Sequence, residues 1–420
     1  EWGAAGAIRK LVMTDPYAST LDMAGAWVRN LLRVGTEGVD VALGGAFSSL
    51  VVVGLAAAGV LGRDTRRLGA ALLWGAGSSL ALVCLNTTAP FQNLRYVAPT
   101  LVCLLIGAIL GLSWVWRRST AAGLVAAGAL GVSLVSAGRA LPAQIDHFAR
   151  ASRNIAEQQV EVGRRLRDSG ARRVFVGDAG AIPYVSELDA IDGLGLGGYH
   201  DVPFARASVH GVPAVIELIE RLPPAERPDT LAIYDAWWPG LGARFGRPWF
   251  AVKIDDNVIC GSDEKRVYHA DWSLLDDPGA GGPGAIDAID VADLVDERAH
   301  DLRFTQPKGG FVIDAVRARP DGSPGWDAGR QLASGQSIAF TVRSAAAIEG
   351  ARLVLRTDEP PSGSVEHRGA STPIPEAPTS ETWIDVEVPI GGVAPGDRIT
   401  LRAERSGLRV FSVALLDTPR

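Results

Sequence analysis

The first third of the chain and the remainder follow different hydrophobic patterns. Val41 to Leu61, Leu68 to Leu85, Tyr96 to Trp116 and Thr120 to Gly138 contain no Asp, Glu, Lys or Arg. A helix that crosses roughly 30 Å of hydrocarbon needs about 20 apolar residues, and shorter apolar runs are more often core helices. Each of the four stretches is near that length and none shows a polar face, so the pattern predicts four transmembrane helices rather than a soluble bundle. Ahead of them, Ala24, Trp27, Val28, Leu31 and Leu32 recur at helical spacing opposite Asp22, Arg29, Asn30 and Arg33, with Ser19 and Thr20 placed to cap the start. This predicts an amphipathic helix, lying on the outer membrane surface or packed under a soluble region.

After Pro142 the pattern changes to short elements separated by Gly, Pro and Asp. A helix is expected from Ala143 to about Asp168, separated from the last span by Pro142 and stopped by Gly170. Arg173 to Val176 reads as a strand, Gly177 to Gly180 as a turn and Ala181 to Val185 as a helix. Leu188 to Ile191 is a second strand, ending at Asp192 and the glycine run Gly193 to Gly198. Val212 to Arg221 reads as a helix, and Thr230 to Tyr234, Trp249 to Ile254 and Arg266 to His269 as strands. Alternating strands and helices imply a largely parallel sheet whose functional residues lie beyond the strands' carboxyl ends, where Asp178, Asp192 and Asp235 fall. The segment Asp276 to Gly284 is a linker signal. Beyond a short helix near Ile289 to Arg298, six short alternating runs between Phe311 and Leu415 predict a β-sandwich.

The expected organisation is therefore an outer-surface segment (1–40), four membrane helices (41–142), an extracytoplasmic α/β domain (143–276), a linker with a short helix (277–300) and a β-sandwich module (301–420). Orientation follows from the short loops, because Lys and Arg mark the cytoplasmic side. Arg63, Arg66 and Arg67, then Arg117 and Arg118, place the first and third loops inside, and an even number of spans puts everything after Gly138 outside. The formal net charge of −6 gives no reason to expect nucleic acid as a partner. Four lysines among 41 basic residues, with abundant Ala, Gly and Arg, suggest a GC-rich bacterial source, and thus the bacterial cytoplasmic membrane. Cys84, Cys103 and Cys260 supply neither a disulfide framework nor a metal cluster. The chain begins at Glu1 with no leader sequence, and is expected to be the C-terminal part of a longer protein.

Few residues carry legible chemistry. In the Gly177 to Ile182 segment (GDAGAI), Asp178 either caps the following helix or contacts a substrate. Tyr199, His200 and Asp201 form a polar cluster without a nucleophile motif. Trp237, Trp238 and Trp249 are core aromatics or sugar-stacking platforms. The loop Gln92 to Tyr96 (QNLRY) places Arg95 at a span boundary. There its guanidinium either forks onto a lipid-linked phosphate, with Gln92 beside it and Tyr96 anchoring at the headgroups, or snorkels to the interface.

The order of outer helix, apolar spans, NLRYVAP loop and the segment from Ile155 to Gly198 (IAEQQVEVGRRLRDSGARRVFVGDAGAIPYVSELDAIDGLGLGG) resembles the C-terminal half of bacterial GT-C type glycosyltransferases. The resemblance runs best from about Gln92 to Gly198. It implies an integral-membrane enzyme that transfers a sugar from a polyprenyl-phosphate carrier to a cell-envelope glycan or protein outside the cytoplasm. Arg95 would meet the carrier phosphate with Gln92 beside it and Tyr96 at the headgroups; the residue pattern itself, apart from the resemblance, offers Asp178, Asp192 and His200 as candidate substrate contacts. No other cofactor is evident, and metal dependence stays open. The family's catalytic acidic loop precedes the region covered here. The competing expectation is a non-enzymatic, membrane-anchored outer protein that binds glycan or a partner.

Overall fold

The computed structural model describes residues 19–85, 94–197, 199–276, 279–280, 282–305, 311–404 and 407–417. Helix α1 (Thr20–Arg33) begins where Ser19 Oγ accepts from the Asp22 amide at 3.1 Å. Its inner face meets α4 (Arg66–Val83): Trp27 Nε1 donates to Ala81 O at 2.9 Å and Asn30 Nδ2 to Cys84 O at 2.7 Å. The amphipathic helix is thus seated on the helical bundle itself.

The four expected spans are not four equivalent helices. A π-helical turn (Val34–Gly38) and α2 (Val39–Leu43) extend α1, and then Gly44 and Gly45 take φ of +85° and +119°. The chain turns by 102° before α3 (Ala46–Ala58), whose 13 residues span about 20 Å, less than the hydrocarbon width. Helix α4 opens with Arg66 and Arg67, which shortens its apolar part. Among the described residues two helices are long and apolar enough to cross a membrane, Arg95–Arg118, which contains α5 (Ala98–Arg118), and Thr120–Arg167. A third is added if the bent pair counts as one span. Of the four expected spans, two or three meet that length and composition among the described residues, because a glycine bend divides the first and arginines occupy the first turn of the second helix.

These helices pack through small residues, as expected where lipid removes the hydrophobic contrast between helix and surroundings. Gly107 and Gly111, one turn apart on α5, face α3. A Cβ on Gly107 would lie 3.1 Å from Ala56 Cβ, and one on Gly111 would overlap the Leu55 carbonyl.

Helix α6 packs in the bundle, and beyond Arg139 the chain leaves it without a sharp bend. Helices α6 (Thr120–Arg139) and α7 (Leu141–Asn154), a π turn (Ile155–Val160) and α8 (Glu161–Arg167) form a single 48-residue helix. Pro142 stands at the boundary the sequence predicts: α6 ends at Arg139, Ala140 caps it, and Pro142 occupies the first turn of α7, where a missing N–H is tolerated. The C-terminal end of this helix is part of the soluble core: Val162 and Leu166 are fully buried with Val174, Val176, Ile182 and Val267.

That core covers one face of a five-stranded sheet of order β2-β1-β3-β5-β4. Strands β1 (Arg173–Val176), β2 (Asp189–Asp192) and β3 (Thr230–Ile233) run parallel. Strands β4 (Gly246–Lys253) and β5 (Glu264–Ala270) close the edge antiparallel, so the sheet is mixed rather than largely parallel. Helix α9 (Ala181–Ser186) follows β1. The short helices α10 (Phe204–His210) and α12 (Leu241–Phe245) flank α11 (Val212–Glu220), which packs Val215, Leu218 and Ile219 with Phe175, Leu231 and Ile233.

The rest is antiparallel β. Strand β6 (Asp287–Asp290) pairs with β17 (Ser412–Asp417) in a sheet of order β14-β11-β17-β6, with β11 (Ile348–Thr357) and β14 (Ile384–Val393). After α13 (Leu294–Ala299) comes β7 (Arg303–Phe304). It edges a sheet β13-β12-β15-β10-β7 made with β10 (Ser337–Thr341), β12 (Gly363–His367), β13 (Ala370–Pro373) and β15 (Arg398–Ala403). The two sheets share one core, in which Phe340, Val365 and Leu401 meet Leu353, Val388 and Leu415.

A third sheet, β16-β9-β8, from β8 (Phe311–Ala318), β9 (Pro324–Leu332) and β16 (Leu408–Val410), turns Trp326 and Ala328 into the α/β core. The Trp326 amide donates to Leu274 O at 2.8 Å and the Ala328 amide to Glu217 Oε1 at 2.9 Å. Arg330, fully buried, forks onto Glu297 at 2.8 and 3.0 Å.

Two outcomes follow for stability. Gly111→Leu is expected to force α3 from α5 at a cost of about 1–3 kcal/mol, read as a lower melting temperature in detergent. Glu297→Ala removes the carboxylate from a wholly buried guanidinium and is expected to cost about 3–5 kcal/mol in urea unfolding.

Candidate functional site

Asp178, Asp192 and Asp235 stand at the carboxyl ends of the adjacent strands β1, β2 and β3, and their environments differ. Asp178 does not cap α9: the cap position is Gly180, with no side-chain bond. Its Oδ2 accepts from Gln159 Nε2 at 2.6 Å instead, which ties the β1 loop to the π turn of the long helix. The neighbouring Gln158 donates to the carbonyls of Ser262 and Asp263, both at 3.0 Å, and accepts from Tyr234 OH at 2.7 Å. Insertion of a π turn shifts the helix face by a fraction of a turn, and such insertions are frequent at functional positions. Here it directs two consecutive glutamines inward.

Behind them lies Lys265, 0% exposed, its Nζ 3.8 Å from the Tyr234 ring centre and without a hydrogen-bond partner. Burial pulls its ammonium down to about 8, partly offset by the charges of Asp178 and Cys260. Burial also pushes the Cys260 thiol and the Tyr234 phenol up, the latter assisted by Cys260 and Asp178. Lys265, Cys260 and Tyr234 are therefore joined to Asp178 in one polar cluster beneath the helix. The sequence shows only a lone cysteine and one of four lysines, because 87 residues separate Asp178 from Lys265.

Asp192 is buried and organises its own loop, accepting from Leu194 N at 3.1 Å and Gly197 N at 2.7 Å. Burial raises its carboxyl against the lowering effect of those amides. A Cβ at Gly197 would meet Ala179 at 3.4 Å and Asp192 at 3.7 Å, so the two glycine-bearing loops lie side by side. Asp235 is held by Tyr268 OH at 2.9 Å and Arg266 at 2.9 Å. His200 is exposed, edge-on to Tyr199 with ring centres 4.5 Å apart. Trp238 is buried edge-on to Phe175, Trp249 stacks on His269 at 4.1 Å, and Trp237 remains 42% exposed.

His200's neighbour Asp201 does line a cavity of about 400 Å³ between the α/β module and the sandwich. Arg206 of α10, Arg298 of α13 and the Asp301–Arg303 pair, 2.6 Å apart, supply its charged wall, and Pro203 and Leu302 are among its apolar members. Both signs of charge beside apolar patches suit a hydroxyl-rich ligand better than an apolar one.

In the membrane part Arg95 is exposed, with Nη2 donating to Tyr96 OH at 2.8 Å. Gln92 lies outside the described residues. The preceding Leu94 lines a cavity of about 510 Å³ with Val34, Val41, Leu101, Leu141 and Arg33. Elsewhere, Glu217, Asp290 and Asp327 bring carboxylate oxygens within 4.8 Å of one another, the described group able to hold a metal ion.

Lys265 gives a pH signature. Because its native value lies below the free-lysine value of about 10.4, the unfolded chain binds more protons between them, and stability rises as pH increases through that window. Lys265→Met is expected to remove this rise and to stabilise the chain at pH 7 by about 1–3 kcal/mol, measured as the wild-type minus variant difference in urea unfolding from pH 7 to 10.5.

A domain of unknown function, DUF8728, matches residues 153–293, about a third of the chain. No curated protein matches. Solved structures that match include CsCBM6-3 from Clostridium stercorarium in complex with cellobiose, 16% identical over 33% of this chain and 100% of that one, with a TM-score of 0.22. CBM35 from Cellvibrio japonicus Abf62 is 15% identical over 26% of this chain and 84% of that one, TM-score 0.21. A ruminal GH26 endo-β-1,4-mannanase is 10% identical over 22% of this chain and 20% of that one, TM-score 0.19. Likeness at these scores carries no assignment of ligand or activity.

Proposed function

We propose that the chain is a membrane-anchored protein whose α/β module and β-sandwich together bind carbohydrate of the cell envelope on the extracytoplasmic side. The observation that carries this reading is the 400 Å³ cavity at the junction of the two modules, with Asp201, Arg206, Arg298 and Asp301 on its wall. Carboxylates and guanidiniums offer paired acceptors and donors to adjacent hydroxyls, and the cavity is large enough for one or two sugar rings. The arginine-rich loops ahead of α4 and between α5 and α6 favour this orientation.

A second reading is the C-terminal part of a polyprenyl-phosphate-sugar-dependent glycosyltransferase, supported by the sequence resemblance and by one structural feature. The 510 Å³ cavity beside Leu94 has a largely apolar wall that carries Arg33, paired with Glu37 at 3.7 Å, and Arg95 stands next in the chain. An isoprenoid chain would occupy the wall, and a phosphate would meet a guanidinium, whose positive charge would stabilise the departing carrier anion.

The two are separable by experiment. Arg298→Ala in the detergent-solubilised chain is expected to weaken retention on envelope polysaccharide about tenfold or more, the loss of a charge-assisted hydrogen bond, while melting stays unchanged. Equal retention by variant and wild type overturns the glycan-site assignment. For the second reading, Arg95→Ala in the full-length protein is expected to reduce transfer from a polyprenyl-phosphate sugar strongly, and unchanged turnover refutes that role.

A further inference from the structure

Three carboxylates converge where α11 meets the sandwich. Glu217 comes from α11, Asp290 from the end of β6 and Asp327 from β9, and each contributes an oxygen within 4.8 Å of the others. Glu217 is 1% exposed; Oε1 accepts from the Ala328 amide, whereas Oε2 is buried without a hydrogen-bond partner. Asp290 Oδ1 is likewise buried without one. The nearby cations are engaged: Arg221 bonds Asp293 at 2.6 Å and Asp296 at 2.9 Å, and Arg330 forks onto Glu297. A cavity of about 120 Å³ adjoins the group, lined by Asp290, Asp327, Trp326 and Ser412.

Buried charges of one sign are tolerated when protonated or when a counter-charge sits among them. The donor set is oxygen only, with no imidazole or thiolate, and hard divalent cations select such sets. We infer that Glu217, Asp290 and Asp327 form a binding site for a hard divalent cation, Ca2+ above all, that ties the α/β module to the β-sandwich. Ca2+ suits the site better than Mg2+ because it accepts irregular oxygen geometry and sheds water readily, whereas Mg2+ demands a near-ideal octahedron. Ser412 Oγ and water in the adjoining cavity would complete the shell. Burial, and after it repulsion from neighbouring carboxylates, raise Glu217 and Asp290 well above the ordinary carboxylate range and are the stresses such an ion relieves.

The cavity carries its own reporter, since Trp326 can sensitise terbium luminescence. In the detergent-solubilised full chain, Tb3+ is expected to give saturable emission under tryptophan excitation, displaced by Ca2+ at lower concentration than by Mg2+. Saturating Ca2+ is expected to raise the melting temperature by about 5 °C over EDTA. Glu217→Gln keeps the oxygen that accepts from Ala328 and is expected to weaken Ca2+ about tenfold or more. Asp290→Asn and Asp327→Asn are expected to do the same, and either serves if Glu217→Gln does not fold. A wild-type chain with no Ca2+-displaceable emission and equal melting in Ca2+ and EDTA overturns the site. So does emission that persists unchanged in every folded variant.

Discussion

Backbone polar groups have no water to bond in hydrocarbon, so a chain that crosses it as a single element must be helical. This chain carries that solution beyond the bilayer. The helix that begins at Thr120 runs for 48 residues and ends with Val162 and Leu166 inside the α/β core. The soluble body is therefore joined to the bundle by one helical run, with a turn at Ala140 ahead of Pro142, rather than by an irregular tether. The inward glutamines of its π turn set the position of the loop after β1 and of the segment between β4 and β5, and with them the polar cluster around Asp178 and Lys265.

The second organising contact is between the α/β module and the sandwich. Trp326 fills the α/β core from β9, Glu217 accepts a sandwich amide, and Arg221 reaches to Asp293 and Asp296. Much of this junction is charged, and charge at a desolvated boundary is directional: each carboxylate is satisfied at one geometry of the two modules and exposed to repulsion at others. The 400 Å³ cavity and the three-carboxylate group both lie along this junction and both need residues from each side of it.

Local periodicity was enough to find β1, β3, α11 and, in the sandwich, β8, β10, β11, β14 and β15, because each is short, bounded by turn residues and buried in the register its pattern requires, whereas β6, β7, β9, β12 and β13 escaped it. Asp178, Asp192 and Asp235 could be placed at strand ends for the same reason. What escaped depends on geometry that composition does not encode. Gly44 and Gly45 sit inside an apolar run and look like small residues until their positive φ bends it. Lys265 is charged in any scale, and its burial follows from the pairing of β5 with β3 and the cover of the π turn. Glu217 and Asp327 are 110 residues apart and are surface residues by type. No spacing rule joins them; the packing of α11 on β9 does.

The long helix also fixes an angle as well as a distance. Its stretch between the bundle and the sheet is mostly exposed, so core packing constrains its sequence less than its length. Adding one residue there would lift the soluble body by about 1.5 Å and swing it about 100° around the helix axis. Adding seven would lift it about 10 Å and return it almost to its starting bearing. Natural length variation in this segment should therefore come in near-whole turns, as in a screw thread that must seat the same face each time.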